Sequence, residues 1–143
     1  LKLDYIIWLV AHQNPFKSKY SNSFSSRLQL VQKLVKNHPQ MIVSDIEAEL
    51  KICHSYAIIM YFIAKFKYAQ FIWISGADSV ITLHKWEHAK QITDKISFAV
   101  FDRPGYAYKA LACPLAQKKA FTLYRTKLNG MSSTYLRKDI VLI

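Results

Sequence analysis

Phe71-Ile72-Trp73-Ile74-Ser75-Gly76-Ala77-Asp78-Ser79 is the stretch that decides the fold. A short apolar run closed by Ser75-Gly76 reads as a strand buried on both faces, the pattern of a parallel sheet covered by helices. The same alternation of strand and helix continues outward in both directions. Upstream, residues 55–66 read as an apolar helix capped by Ser55, and Met41-Ile42-Val43 as a strand. Phe24, Leu28, Val31 and Val35 recur at helical spacing, so a helix is expected over residues 24–36, with Ser23 as N-cap and Pro39 as stop signal. Tyr5-Ile6-Ile7-Trp8-Leu9-Val10 is the first strand, followed by a long polar loop, residues 11–23. Downstream, a helix is expected over residues 80–93, a strand over 96–101 and a turn at Pro104-Gly105. A short helix over 111–120, a last strand at 121–124 and a final helix starting near Ser133 complete the pattern.

Apolar strands alternating with helices predict an α/β domain with a mostly parallel sheet and flanking helices, a single domain over residues 1–143. In such sheets ligands bind beyond the carboxyl ends of the strands. The loops to read for function are therefore residues 11–23, 44–54, 75–79, 102–106 and 129–134.

Composition narrows the partners. Hydrophobic residues make up 52% of the 143, which suits a globular core. The formal net charge of +11 favours anionic partners, whether nucleotides, nucleic acid or a membrane surface. An RNA-binding surface needs exposed stacking aromatics, whereas Tyr5, Trp8, Phe71 and Trp73 sit in runs that read as core, so no nucleic-acid partner is expected. The longest apolar stretch, around residues 56–64, is too short to span a bilayer, so no membrane partner is expected. Cys53 and Cys113 form neither a disulfide framework nor a metal-ligand spacing, which suits a reduced, cytoplasmic setting.

Several chemistries are excluded by glycine alone. Only Gly76, Gly105 and Gly130 occur, so neither a Walker A loop nor a G-x-G-x-x-G fingerprint can be built, and no G-x-S-x-G elbow is present. His84 and His88 have zinc-ligand spacing but no adjacent carboxylate base and no third ligand, and are expected to be surface histidines. Four local signals remain. Ser132 and Ser133 stand where a helix would start and Arg137 one turn later, an arrangement that binds phosphate or simply caps a helix. Gly76 and Asp78 follow a strand, where the carboxylate can accept from ribose hydroxyls or merely serve a turn. Asn14 and Lys17 in the first loop could hold a phosphate, or form a polar turn. Trp86 could stack on an aromatic ring, or pack in the core.

In order and spacing, these pieces resemble the bacterial nicotinate-nucleotide adenylyltransferase family. The resemblance runs through Asp4–Val10 with Asn14-Pro15-Phe16-Lys17, the Phe24–Leu34 helix with Arg27, and Val43-Ser44-Asp45-Ile46-Glu47 followed by Ser55-Tyr56. It continues in the Gly76-Ala77-Asp78 strand end with His84-Lys85-Trp86, the Asp102-Arg103-Pro104-Gly105-Tyr106 turn and the segment from Met131 to Arg137. The resemblance implies a Rossmann-like nucleotidyltransferase fold and transfer of AMP from ATP, with Mg²⁺, to nicotinate mononucleotide in NAD biosynthesis. It also implies roles: Gly76 and Asp78 on the adenosine ribose; Ser132, Ser133 and Arg137 on ATP phosphates; Asn14 and Lys17 on the mononucleotide phosphate; Tyr56 and Trp86 around the nicotinate ring.

Three departures accompany the resemblance. The family's opening strand and its Gly-x-Phe-x-Pro-x-His-x-Gly-His motif have no counterpart in this sequence, so no catalytic residue is assigned. The first strand is expected to be missing between this chain's first and third strands, leaving apolar edges exposed. Ala57 and Met60 stand where the family carries threonines, and the family's C-terminal helical segment has no match after Ile143. The alternative expectation is a catalytically inactive remnant or nucleotide-binding module of the same family.

Overall fold

The computed structural model describes residues 1–12, 23–52, 54–114 and 121–125. The chain divides into two compact units, Leu1–Ala64 and Lys65–Ile143.

In the first unit, β1 (Ile6–Leu9) and β2 (Met41–Ser44) pair in parallel, with Ile6 opposite Met41 and Leu9 opposite Ser44. The helix α1 (Phe24–Val35) joins them. It starts where expected because the Ser23 hydroxyl accepts the Ser26 backbone N–H at 3.1 Å, satisfying a donor that the helix itself cannot. Its apolar stripe delivers Val31 and Val35 to a core completed by Val10, with Phe24, Leu28, Met41 and Val43 packed against it. Two further helices follow. The short α2 (Ile46–Glu49) lies inside what the sequence presents as loop and buries Ile46. The helix α3 (Ser55–Lys65) buries Ile58 and Ile59; Ser55 is its first helical residue, not its cap.

In the second unit, β3 (Ile72–Gly76), β4 (Ser97–Phe101) and β5 (Phe121–Tyr124) form a three-stranded sheet in that order, with both strand pairs parallel. The central strand is the most buried: Phe98, Ala99 and Val100 are all inaccessible. Between β3 and β4 the chain does not form the single helix expected over 80–93. It forms α4 (Ala77–Val80), one 3₁₀ turn (Leu83–Lys85) and α5 (Ala89–Lys95). Trp86 is extended, with φ −72° and ψ 142°, and His88 is left-handed at φ 55°, so the helix breaks between them. The break has a packing reason. Leu83 and Ile92 lie nine positions apart and would face opposite sides of a straight helix of 3.6 residues per turn, yet both are 1% exposed.

The helix expected over 111–120 is described only as far as Pro114. α6 (Ala107–Leu111) precedes Pro114. A proline disfavours helical backbone in the residue before it, so the helix ends upstream. Residues 115–120 lie outside the described residues.

The strands are less enclosed than their apolar runs suggest. Tyr5 and Trp8, expected in the core, are 64% and 40% exposed, and Ile72 and Ile74 on the edge strand β3 are exposed as well. Phe71 and Trp73 are half-buried. Among the described residues no helix is long and apolar enough to cross a membrane.

Candidate functional site

The register of β3 on β4 pairs Gly76 with Phe101. Asp78 and Arg103 therefore stand at matching places, each two residues beyond that pair, where neighbouring strands release their chains at the carboxyl edge of the sheet. Arg103 Nη1 donates to Asp78 Oδ2 at 2.9 Å. Both side chains are partly exposed, 44% for the arginine and 33% for the aspartate. Arg103 is held on the Pro104-Gly105 turn, which closes with the Tyr106 backbone N–H on the Arg103 carbonyl at 3.0 Å, and Gly105 takes φ +80° as such a turn requires.

Gly76 matters through the space it leaves. Its backbone is ordinary extended chain, φ −79° and ψ 153°, which any residue can adopt. A Cβ there would lie 2.5 Å from Asp78 Oδ1 and 3.4 Å from Arg103 Nε. The missing side chain is thus what lets the carboxylate fold back over the strand end. Next to Arg103, Asp102 anchors its backbone N–H on the Tyr124 carbonyl at 3.0 Å, while its carboxylate oxygen Oδ1 is buried without a hydrogen-bond partner. Phe101 and Tyr124, opposite each other on β4 and β5, stack at 5.5 Å.

Trp86 is half-buried and meets Trp73 of β3 edge-on, ring centres 5.8 Å apart. It sits on the extended residue that ends the 3₁₀ turn, not on the amphipathic helix that the sequence suggests. His84 and His88 are both exposed, as expected, and His88 lies 3.4 Å from Glu87. Among the described residues no three His, Cys, Asp or Glu side chains group closely enough to hold a metal.

The first unit has its own polar cluster at the carboxyl end of β1. Arg27 donates through Nη1 to the Ala11 carbonyl at 2.5 Å and through Nη2 to the His12 carbonyl at 3.0 Å. The His12 backbone N–H donates to Glu47 on α2 at 3.2 Å, and the His12 ring meets Phe24 edge-on. A guanidinium and a carboxylate thus grip the chain where it leaves β1, just before the segment that carries Asn14 and Lys17. Tyr56 is half-buried in the first turn of α3.

Of the residues singled out from sequence, Gly76 and Asp78 are brought together, and Trp86 belongs to the same unit. Tyr56 belongs to the other unit. Asn14, Lys17, Ser132, Ser133 and Arg137 lie outside the described residues. Arg103 carried no assigned role in the sequence, because a pair linking positions twenty-five apart leaves no local trace. The signal that could have found it is a charged residue just past each of two neighbouring parallel strands.

Comparison with known proteins agrees with this architecture. The cytidylyltransferase-like family model matches residues 1–139. Proteins named probable nicotinate-nucleotide adenylyltransferase match at 37% identity from Parvibaculum lavamentivorans, over 81% of this chain and 58% of that protein. The Caulobacter protein of that name matches at 37% identity, over 84% of this chain and 64% of its own length. The one from Pelagibacter ubique is 31% identical over 96% of this chain and 78% of its own length. The chain thus spans less than two thirds of the first two relatives. The solved Plasmodium falciparum nicotinic acid mononucleotide adenylyltransferase complexed with NaAD superposes with a TM-score of 0.80 over 95% of this chain and 69% of its own, at 16% identity, which establishes the Rossmann-like fold. Since the family model runs over almost every residue and the Pelagibacter match extends through most of both proteins, the chain belongs to the cytidylyltransferase-like family and, within it, to the nicotinate-nucleotide adenylyltransferases.

Proposed function

We propose that this protein transfers AMP from ATP to nicotinate mononucleotide, releasing pyrophosphate and forming nicotinate adenine dinucleotide, as a single nucleotidyltransferase domain in the cytoplasm. The observation that carries the reading is Asp78, a carboxylate folded over a side-chain-free Gly76 at the carboxyl edge of a parallel sheet, where α/β proteins take up nucleotides. The names of the relatives support the same activity.

In this reading Gly76 and Asp78 receive the adenosine ribose, while Ser132, Ser133 and Arg137 take the triphosphate. Asn14 and Lys17 hold the phosphate of the mononucleotide, and Tyr56 and Trp86 contact its nicotinate ring. An oxygen of that phosphate attacks the α-phosphorus of ATP in line, and the bond to the bridging oxygen breaks with its electron pair leaving on pyrophosphate. No covalent enzyme intermediate is required, so the side chains act by positioning and by charge neutralisation. Mg²⁺ fits as a partner of ATP instead of a resident ion. It is bound characteristically through phosphates and water with one or two carboxylates, and the described residues offer no metal cage. Its contribution is to offset phosphate charge.

The test is dinucleotide formation from ATP and nicotinate mononucleotide, run in parallel with nicotinamide mononucleotide because Ala57 and Met60 replace the family's threonines. Turnover that Asp78→Ala abolishes without unfolding the protein is the expected result. ATP binding with no turnover on either mononucleotide would favour the inactive nucleotide-binding module. Turnover indifferent to Asp78→Ala would remove the site assignment.

A further inference from the structure

Exposed ion pairs contribute little to stability, because solvent screens them and two side chains must be ordered to make them. The Asp78–Arg103 pair is of this kind, yet the local sequence is arranged around it. Gly76 gives up a side chain that its backbone would tolerate, and the volume so freed is occupied by Asp78 Oδ1, with Arg103 Nε next nearest. Arg103 reaches across to the neighbouring strand end and not to the carboxylate beside it in the chain: its ion pair is with Asp78, while the adjacent Asp102 keeps a buried oxygen unpartnered. The guanidinium occupies Oδ2 and leaves Oδ1 over Gly76.

We propose that Arg103 is a positioning residue for Asp78, fixing the carboxylate so that Oδ1 is already in place for the ribose hydroxyls of the bound nucleotide. The inference rests on the reading of Asp78 as the ribose acceptor and adds what orients it. An acceptor fixed before binding loses less freedom when the ligand arrives, so the benefit appears in affinity for the ribose and not in folding. Arg103 acts through Asp78 and does not contact the phosphates.

The experiment is equilibrium titration of the full chain with ATP and with dideoxy-ATP, which lacks both ribose hydroxyls. It compares the wild type, Arg103→Ala, Arg103→Lys, Asp78→Ala and the Arg103→Ala/Asp78→Ala double variant, each with a thermal melt. The wild type should prefer ATP by roughly tenfold, the size of a hydrogen bond to a charged group. Arg103→Ala should lose most of that preference while its affinity for dideoxy-ATP and its melting temperature stay unchanged. Arg103→Lys should recover part of it. In the Asp78→Ala background, removing Arg103 should add nothing, the signature of a residue that works through its partner. An equal loss for both nucleotides, or an additive loss in the double variant, would show that Arg103 touches the nucleotide itself and would overturn the proposal. An Arg103→Ala protein that keeps the full preference would overturn it too. A wild type that fails to distinguish the two nucleotides would instead remove the ribose reading of Asp78 and this inference with it.

Discussion

Gly76→Ala separates the role of this residue in the site from any role in the fold. The backbone at Gly76 lies in the extended region open to all residues, so alanine introduces no strain there. By restricting the unfolded chain, the substitution should stabilise the protein by about 0.4–1 kcal/mol. Against this, the new methyl would sit 2.5 Å from Asp78 Oδ1, and that oxygen must retreat by about 1 Å to reach normal contact distance. Asp78 is one-third exposed and can swing into solvent, at the expense of a screened ion pair contributing at most about 1 kcal/mol. The two terms nearly cancel, so the melting temperature should move by no more than about 4 °C. The site does not compensate in this way. A displacement of that size at a positioning group can lower turnover by about a hundredfold. The assay is dinucleotide formation under saturating substrates beside calorimetric melting of the same preparation. Turnover within a factor of about two of wild type, with the fold intact, would refute the spatial argument. A fall in melting temperature beyond about 10 °C would show that Gly76 serves the fold instead.

Three further outcomes follow from single residues. Leu83→Ala removes a side chain that is 1% exposed in the 3₁₀ turn and should cost about 2–5 kcal/mol in chemical denaturation; a cost below about 1 kcal/mol would mean the turn is not part of the core. Arg27→Ala withdraws both donors from the Ala11 and His12 carbonyls. It should raise the KM for nicotinate mononucleotide roughly tenfold while leaving that for ATP unchanged, and a matched rise in both would argue against a local effect. Trp86→Phe should abolish the fluorescence response to nicotinate mononucleotide but spare binding of ATP; a persisting response would assign the signal to Trp8 or Trp73.

Local signals in the sequence carried the elements that depend on short-range physics. The last strand falls on Phe121–Tyr124 as expected, and α1 begins behind Ser23 because a serine hydroxyl needs only its own helix to act as a cap. The helix α6 ends at Leu111, ahead of Pro114, because a proline disfavours helical backbone in the residue before it. Between β3 and β4 the apolar spacing looked helical over 80–93 but contained a contradiction. Leu83 and Ile92 both belong to the core, and no straight helix can deliver both to one side. Similarly, apolar runs such as Tyr5–Val10 announce strands but not their exposure, since a side chain's burial depends on what lies against that face. Tyr5 and Trp8 show the difference.

Taken alone, the sequence determined the α/β class, the parallel strand runs and the family resemblance, and it singled out Gly76 and Asp78 as candidates, because each is written in neighbouring residues or in ordered motifs. Tertiary structure decided that Arg103 is the partner of Asp78, that Gly76 is needed for room instead of for backbone freedom, and that Arg27 clamps the end of β1. These are contacts between residues far apart in the chain, and only strand register and packing bring such residues within hydrogen-bond distance.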